Sequence, residues 1–253
     1  MYANSIDFAE TVKRFENRFS KDSECTNIYA SGSTSSGIYP IWLKERFQFT
    51  YVYCDMELVS TKKGWTTIQR RMNGEVNFNR GWDDYVRGFG NPRGECWLGL
   101  ENIYRLLRQT AKAIEGEETS ITTPDLGVGL EDWDGFNTFL QYRIKWFGEA
   151  QTNYYLHVYF LNGSECFRGS PIYFSEFSTP DSDNDEEEQS HCARENKSGW
   201  WFYGCGGSNL NAPYPKSKHP LNLDDLFYEG MFCLNDKESA LRYVSMNLYH
   251  TKT

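Results

Sequence analysis

The sequence predicts an α+β domain in which short strands and loops dominate and the helices are few and short. Two observations lead to this class. Aromatic residues make up 17% of the 253 residues, and 21 glycines accompany only 39% hydrophobic residues, a composition that suits many short segments joined by turns. Strand-like segments also alternate with short helical ones along the chain. The length is sufficient for one large domain with a full core.

The first helical signal is a stripe of apolar residues near the N-terminus. Phe8, Val12, Phe15 and Phe19 fall on one face of a helix. We therefore predict a short amphipathic helix within residues 1–22, which is either the end of an oligomerising coiled coil or a helix that packs on its own domain. The globular domain is expected to span residues 23–253.

The strand signals come from alternating apolar and polar residues. Strands are predicted in the segments FQFTYVYCDMEL (47–58), GWTTIQRRM (64–72), LEDWDGFNTFLQYRIKWFG (130–148) and NYYLHVYFLNG (153–163). Between the second and third of these, residues 79–107 predict a turn-rich stretch, a short strand and then a helix. From Ser175 onward the periodicity disappears, so a long loop is expected there.

Net charge and apolar runs exclude two classes of partner. The formal net charge of −9 provides no basic surplus for binding a nucleic-acid backbone. No run approaches the roughly 18 apolar residues that a membrane-spanning helix needs. The first ten residues lack the apolar core of a signal peptide, so the chain is expected to be a mature protein or a fragment.

The cysteines predict disulfides in an oxidising, extracellular compartment. There are seven of them, none in a C-x-x-C pair, and only four histidines, which disfavours a zinc ribbon or a thioredoxin-like site. Sequons at Asn162 and Asn196 agree with secretion as a glycoprotein. The odd number of cysteines leaves at least one thiol unpaired or bonded to another chain.

Residues 181–188 form an acidic run with six carboxylates and no lysine or arginine. Ca²⁺ suits alternating aspartates in a flexible loop, because it accepts roughly six to eight oxygen ligands. The alternative is a solvated acidic loop that binds no ion. The run is not an EF-hand, because the glycine and the final glutamate of that motif are missing.

Two cysteines, Cys192 and Cys205, bracket a short segment that contains the adjacent Trp200 and Trp201. Either one tryptophan packs inward while the other lines a pocket, or both fill the core. Catalytic motifs such as G-x-S-x-G, H-E-x-x-H and the P-loop do not occur in the sequence. A binding protein is therefore expected rather than an enzyme.

In their order along the chain, nine motifs resemble those of the fibrinogen-related domain, the module of ficolins, tachylectins, angiopoietins, tenascins and the fibrinogen chains. The matching segments are VYCDMEL, GWTTIQRR, FNRGWDDYVRGFGN, GECWLGLENI, LEDWDGFNTF, NYYLHV, FSTPDSDND, GWW and SNLNAPY. The resemblance extends over residues 25–250. It implies a globular domain with a central antiparallel sheet, short helices and a long loop region that binds calcium and ligand.

The resemblance also assigns roles to residues of this chain. It implies two disulfides, Cys25–Cys54 and Cys192–Cys205. It implies a calcium site made of two side-chain carboxylates and two main-chain carbonyls, those of Asp181 and Asp183 and those of Asp185 and Glu187.

A ligand pocket is expected beside the ion, with a cis peptide bond between Gly204 and Cys205. Its residues would be Asn196, Trp201, Phe202, Tyr203, Gly204, Cys205, Gly206 and Tyr214. Three of these depart from acetyl-binding members, which commonly have a tyrosine at the positions of Asn196 and Phe202 and a histidine at that of Gly206. Tyr203 and Tyr214 are the candidates to rebuild the missing aromatic wall.

Two further departures involve cysteine. Cys96 and Cys233 stand where the family usually has a phenylalanine and a tryptophan. Because both positions are core-like, we predict an extra disulfide between Cys96 and Cys233, with a bridge from Cys166 to either residue as the alternative.

The first functional hypothesis is a secreted, lectin-like domain of innate immunity that binds glycans or acetylated groups beside Ca²⁺. Oligomers formed through the N-terminal helix would supply avidity. The alternative is a protein-binding signalling or adhesion module that resembles angiopoietins or the fibrinogen chains and docks a receptor or peptide on the same surface.

Overall fold

An antiparallel β-sheet organises the computed structural model, which describes residues 23–58, 63–110, 124–163, 174–205, 209–216, 232–233 and 239–250. Within these ranges the chain forms eleven strands and four short α-helices. The predicted α+β class with a central antiparallel sheet is thereby confirmed. The predicted N-terminal helix of residues 1–22 lies outside the described residues.

The strands follow one another along the chain from β1 to β11. Their bounds are β1 Gly37–Leu43, β2 Gln48–Asp55, β3 Trp65–Arg71, β4 Phe89–Gly90, β5 Cys96–Trp97, β6 Asp125–Asp132, β7 Asn137–Phe147, β8 Leu156–Gly163, β9 Phe174–Ser175, β10 Phe232–Cys233 and β11 Ser239–Tyr249. The helices are α1 Cys25–Ala30, α2 Trp82–Arg87, α3 Leu100–Thr110 and α4 Cys192–Glu195.

The last long strand of the chain lies in the middle of the sheet. The spatial order is β1-β2-β3-β11-β6-β7-β8-β9, and the short β5 pairs with β3 beside it. Val244 of β11 lies opposite Arg71 of β3 on one side and Leu130 of β6 on the other. A strand with neighbours on both sides has its backbone groups satisfied on both edges, which suits the burial of Val244 and Met246.

An aromatic core lies between the inner face of this sheet and the segments that cross it. Trp97 packs against Tyr85 and Phe177 with ring centroids 5.5 and 5.8 Å apart, and Phe177 contacts Trp201 edge-on at 4.9 Å. Edge-to-face packing of this kind adds to the stability gained from burying the rings. The α2 region, β5 and the long loop after β9 are therefore held against one core.

A second, smaller cluster surrounds the first disulfide. Cys25 of α1 is bonded to Cys54 of β2, with Cα atoms 5.4 Å apart, as the family resemblance implied. Ile28, Ile41 and Val52 pack around this bond. The disulfide therefore holds helix α1 against the β1–β2 hairpin.

A buried ion pair fixes the turn that follows β3. Glu95 Oε1 accepts hydrogen bonds from the amides of Met72 and Gly74 at 2.9 Å each, and its Oε2 accepts one from Val76 at 2.8 Å. Arg71 lies 3.7 Å from Glu95, stacks on Phe78 and donates to the carbonyl of Ala212 at 2.7 Å. The pair therefore joins β3, the turn and the segment around residue 212.

Both groups of the pair stay charged at neutral pH. Burial alone would raise the pKa of Glu95, but the amide hydrogen bonds and Arg71 outweigh it and hold the pKa below its usual value. Burial lowers the pKa of Arg71 to about 10, even with Glu95 beside it. The carboxylate and the guanidinium are thus complementary in the folded state.

The predicted disulfide between Cys96 and Cys233 is wrong. Cys96 is a free, buried thiol, so it is bonded neither to Cys233 nor to Cys166. The alternative bridge between Cys166 and Cys233 stays a prediction, because Cys166 lies outside the described residues. In the sheet, Cys96 lies opposite Arg70 of β3 and Gly90 of β4, whereas Cys233 lies opposite Ser239 at the beginning of β11. Burial raises the pKa of Cys96 to about 11, so the thiol is protonated.

Replacing the buried carboxylate tests the ion pair. Glu95→Gln should lower the free energy of unfolding by about 3–5 kcal/mol, because it leaves Arg71 buried without its partner. Urea unfolding measures this change. Glu75→Gln, which alters an exposed carboxylate in the same turn, is the control and should have little effect.

The same pair predicts a pH dependence. A carboxylate with a lowered pKa in the folded state stabilises fully above its unfolded pKa of about 4.3, and that contribution is lost as the pH falls through the folded pKa. The stability difference between wild type and Glu95→Gln should therefore shrink below pH about 4. A difference that stays constant down to pH 2 would contradict this assignment.

Peptide mapping tests the state of Cys96. Alkylation of the unfolded, unreduced protein should label Cys96, because it has no disulfide partner. Mass spectrometry of the digest then shows the labelled peptide. Recovery of Cys96 in a disulfide-linked peptide would contradict the structure.

Candidate functional site

The loop that follows β9 is closed on itself by backbone hydrogen bonds and by a disulfide. Ser178 and Trp200 exchange two backbone hydrogen bonds of 2.9 and 3.0 Å. Cys192 of α4 is bonded to Cys205, with Cα atoms 4.5 Å apart, as the family resemblance implied. We call residues 176–205 the recognition loop.

The acidic run begins in a tight turn. Thr179 and Ser182 exchange two backbone hydrogen bonds of 2.9 Å. Asn184 is bonded to the same turn twice. Its side-chain Nδ2 donates to the Phe177 carbonyl at 2.8 Å, and its backbone N–H donates to the Ser178 hydroxyl at 2.9 Å. Side-chain bonds of this local kind are the reason that Ser, Thr, Asn and Asp favour turns.

Asp181 connects the turn to the beginning of α2. Its Oδ1 accepts hydrogen bonds from the Trp82 amide at 2.8 Å and from the Thr179 hydroxyl at 2.7 Å. Burial alone would raise the pKa of Asp181. Its hydrogen bonds, chiefly those from Thr179 and Trp82, outweigh this effect and hold the pKa below its usual value. Gly81 is needed here because a Cβ atom at this position would lie 2.5 Å from the Asp181 carboxylate.

The next two aspartates converge with a histidine. Ligand atoms of Asp183, Asp185 and His191 all lie within 4.8 Å of one another, and Asp181 is not part of this group. Asp185 is oriented by the amides of Cys192 and Glu187, each 3.0 Å away. Burial and then the neighbouring Asp183 raise the pKa of Asp185 above its usual value.

This arrangement suits a cation, because a positive ion would relieve the repulsion between two adjacent carboxylates. In the structure the side-chain carboxylates of Asp183 and Asp185 lie close together. The resemblance had instead implied Asp181 and Asp183 as the two side-chain ligands of the ion. Glu187 is exposed, and its amide donates to Asp185. The ligand set of Asp181, Asp183, Asp185 and Glu187 stays a prediction.

The aromatic half of the loop belongs to the core. Trp200, Trp201 and Phe202 are all buried, and Trp201 Nε1 donates to the Tyr154 carbonyl at 2.9 Å. Of the two alternatives for the tryptophan pair, the structure shows that both fill the core. Trp201 and Phe202 are therefore not pocket walls, because their surfaces contact the core rather than solvent.

Asn196 is an internal support of the loop, which corrects two predictions. Only 2% of the residue is exposed, and its Nδ2 donates to the carbonyls of Cys192 at 3.0 Å and Cys205 at 3.2 Å. Because this nitrogen is buried and bonded twice, Asn196 neither lines an open pocket nor presents itself for glycosylation. The other sequon residue, Asn162, is exposed at the end of β8, and its glycan stays a prediction.

The remaining pocket residues are dispersed. Tyr214 donates to the carbonyls of Met72 and Arg242 at 3.1 and 2.7 Å, so it contacts the ends of β3 and β11 instead of forming a wall with Cys205. Gly206 lies outside the described residues. Tyr203 is 60% exposed and is the aromatic residue of the predicted pocket that does face solvent.

The peptide bond between Gly204 and Cys205 is trans, as are all peptide bonds of the described residues. The predicted cis bond is therefore wrong. The trans form is the one that a peptide bond before a residue other than proline strongly favours.

A network of buried asparagine side chains donates hydrogen bonds to the loop. This network was not identified from the sequence. Asn211 donates to the Gly199 carbonyl at 2.9 Å, and Asn209 donates to the Ser198 hydroxyl at 2.7 Å. Gln69 of β3 donates to Asn211 at 3.2 Å. Three polar residues in the motif SNLNAPY were the available signal, because buried amides need partners.

Several known proteins are similar to this chain. It is 40% identical to angiopoietin-4 of Bos taurus over 197 residues and 38% identical to angiopoietin-4 of Homo sapiens over 203 residues, which cover 78% and 79% of this chain. Angiopoietin-1 of Sus scrofa is 36% identical over 76% of this chain. The chain spans 36–37% of the length of these relatives.

Solved structures show the same fold. The fibrinogen-like globe domain of human ANGPTL6 superposes with a TM-score of 0.77 at 29% identity, over 91% of this chain and 96% of that one. The corresponding domain of human ANGPTL2 gives 0.74 at 31% identity, over 91% and 99%. Lamprey fibrin D-dimer, in complex with the peptide ligand Gly-His-Arg-Pro-amide, gives 0.73 at 27% identity, over 89% and 72%.

The family profile agrees with the fold. The profile of the C-terminal globular domain of fibrinogen beta and gamma chains matches residues 21–248. Among the described residues, the helices are too short or too polar to cross a membrane. The chain belongs to the family of fibrinogen C-terminal globular domains.

Proposed function

We propose that this chain is a secreted, non-enzymatic domain that binds a protein receptor or peptide through the exposed surface of the recognition loop. One observation carries this proposal. The residues expected to line a pocket for a small acetylated ligand, Asn196, Trp201 and Phe202, are buried and used for internal packing. Within the part of the chain that the structure describes, the loop therefore offers a partner its exposed surface.

The comparisons support a protein partner over a glycan. The relatives described above are angiopoietins, and the structural neighbours are globe domains of angiopoietin-like proteins. The lamprey fibrin structure holds a peptide ligand, which supports the capacity of this fold to bind a peptide. The two disulfides support an extracellular location.

The chemistry of the surface supports a partner with a basic rim. Tyr203 projects into solvent, and the exposed Asp183, Glu186 and Glu187 lie on the same loop. An exposed tyrosine is a frequent energetic anchor of protein interfaces, and surrounding charges determine association rate and specificity. The loop therefore suits a partner that presents Lys or Arg around an apolar contact.

We further propose that the acidic part of the loop binds Ca²⁺. Asp181, Asp183 and the carbonyls of Asp185 and Glu187 would hold the ion, with the Asp185 carboxylate beside Asp183. The support is the convergence of two carboxylates that repel each other. The bound ion would fix the shape of the loop and reduce its negative charge.

A display experiment tests the choice of partner. The chain is screened against extracellular protein domains and, in parallel, against an array of N-acetylated glycans. We expect saturable binding to a protein domain, reduced at least tenfold by Tyr203→Ser because the anchor is lost, and no glycan signal. Tyr51→Ser, which removes a similarly exposed ring from β2, is the matched control.

The opposite pattern would restore the lectin hypothesis. Binding of an N-acetylated glycan that Tyr203→Ser abolishes and Tyr51→Ser retains would contradict the protein-binding proposal. Circular dichroism of both variants confirms that the fold is unchanged.

Thermal unfolding with and without Ca²⁺ tests the ion site. A ligand at about 100 times its Kd stabilises by about 2.7 kcal/mol, so the Tm should rise on adding Ca²⁺ and return on adding a chelator. Asp183→Asn should abolish the rise without lowering the Tm in chelator, because it removes a repulsive charge. Glu188→Gln, an exposed neighbour, should behave like wild type; a rise retained in Asp183→Asn would overturn the site.

A further inference from the structure

The β1–β2 hairpin carries a cluster of three rings near its turn. We call Trp42, Phe47 and Phe49 the hairpin patch. Trp42 lies opposite Phe49 in the β1–β2 pair, so the two side chains share one face of the hairpin. The ring centroid of Trp42 is 5.0 Å from that of Phe49 and 6.2 Å from that of Phe47, and both contacts are edge-on. The three rings therefore form one apolar surface.

This face of the hairpin points away from the smaller core cluster. Ile41 and Val52 belong to that cluster, and because side chains alternate between the two faces of a strand, Trp42 and Phe49 lie on the opposite face. Trp42 is buried, whereas 56% of Phe47 and 38% of Phe49 are exposed. Scattered exposed apolar residues are common, but neighbouring ones in one patch mark an interaction surface.

The backbone at Phe47 is strained. Its φ of 50° lies in the left-handed region, which a bulky side chain rarely adopts. Phe47 takes this conformation directly after the short helical turn Lys44–Arg46, at a position where glycine or asparagine is usual. The strain thus accompanies a ring that faces solvent, a combination that packing of the described core does not explain. Strained positions of this kind cluster at functional contacts.

The described part of the chain begins beside this patch. One nitrogen of Gln109 in α3 donates to the carbonyl of Ser23 at 2.9 Å and to that of Trp42 at 3.1 Å. The side-chain oxygen of Gln109 accepts a hydrogen bond from the Lys44 amide at 3.1 Å. Because one side-chain amide joins them, the backbone of Ser23 lies against the end of β1. The segment of residues 1–22 is therefore attached to the domain next to the hairpin patch.

The sequence of this segment suits the patch in chemistry and in length. Its apolar stripe lies on one face of the predicted helix and consists of Phe8, Val12, Phe15 and Phe19. Phe19 precedes Ser23 by one helical turn, about 6 Å. The whole stripe is about 17 Å long at the helical rise. Strand β2 has 8 residues and a length of about 26 Å, so the hairpin is long enough to cover the stripe.

We propose that residues 1–22 form an amphipathic helix that docks on the hairpin patch of the same chain, with Phe15 and Phe19 against Phe47 and Phe49. Burial of apolar surface on both sides supplies the driving force. The attachment at Ser23 gives the two surfaces a high effective concentration, so weak ring contacts are sufficient for docking. Of the two roles predicted for the helix, the proposal selects packing on its own domain over the end of a coiled coil.

This docking is independent of the proposed receptor site. The hairpin patch belongs to β1 and β2, and the recognition loop follows β9; β1 and β9 are the two end strands of the sheet order. A helix on the patch therefore leaves the recognition loop accessible. Failure of either proposal leaves the other intact.

Limited trypsin digestion of the full chain tests the docking, because cleavage sites occur within the segment at Lys13, Arg14, Arg18 and Lys21. A docked helix is cut only when it opens. Phe47→Asn removes the ring and suits the left-handed backbone, so cleavage within residues 1–22 should become at least tenfold faster. Phe136→Asn removes a similarly exposed phenylalanine from the turn between β6 and β7; it is the matched control and should leave the rate unchanged.

Combined variants test whether the helix and the patch meet. Phe15→Ser with Phe19→Ser should give the same acceleration, and adding Phe47→Asn should cause no further increase, because the contact is already lost. Thermal unfolding of each variant confirms that the domain remains folded. Equal cleavage rates in wild type and Phe47→Asn would overturn the proposal. Protection that grows with protein concentration would also overturn it and assign the segment to a contact between copies.

Discussion

The burial of three consecutive aromatic residues, Trp200, Trp201 and Phe202, is the constraint on which the recognition loop depends. These rings fill the core against Phe177 and Tyr154, so the backbone on either side must pass over that core. The Ser178–Trp200 hydrogen bonds and the Cys192–Cys205 disulfide hold this path. The loop is therefore rigid at its base and presents mainly charged residues to solvent.

Electrostatics divides the loop into two parts with different tasks. Oδ1 of Asp181 is bonded to Trp82 and Thr179, so this residue connects the turn to α2 in addition to its place in the proposed ion site. Asp183 and Asp185 instead approach each other, and their mutual repulsion is the feature that an ion or a basic partner would relieve. The same side of the domain thus combines a fixed scaffold with a group of exposed carboxylates.

The strands β2 and β7 and the beginning of β8 could be predicted from alternation, because buried residues alternate there with more exposed ones. β3 is buried along its whole length, so its strand signal came from its β-branched and aromatic residues. β6 was harder to recognise, since Gly127 and Gly129 weaken a strand signal. Gly127 is required by packing, because a Cβ atom there would lie 2.7 Å from the Trp65 ring. The central strand β11 has a register shift between Leu241 and Tyr243 that interrupts its alternation.

The two disulfides were predicted correctly from the family resemblance, and so was the position of the loop. The residues of the pocket were not, because the burial of Trp201 depends on contacts with residues distant in sequence.

Hydrogen exchange of the Trp201 indole N–H, followed by NMR, tests the burial of Trp201 most directly. The account predicts exchange only through global unfolding and no change in its signal on adding N-acetylglucosamine. Rapid exchange together with a shift on adding the sugar would show an open pocket and contradict it.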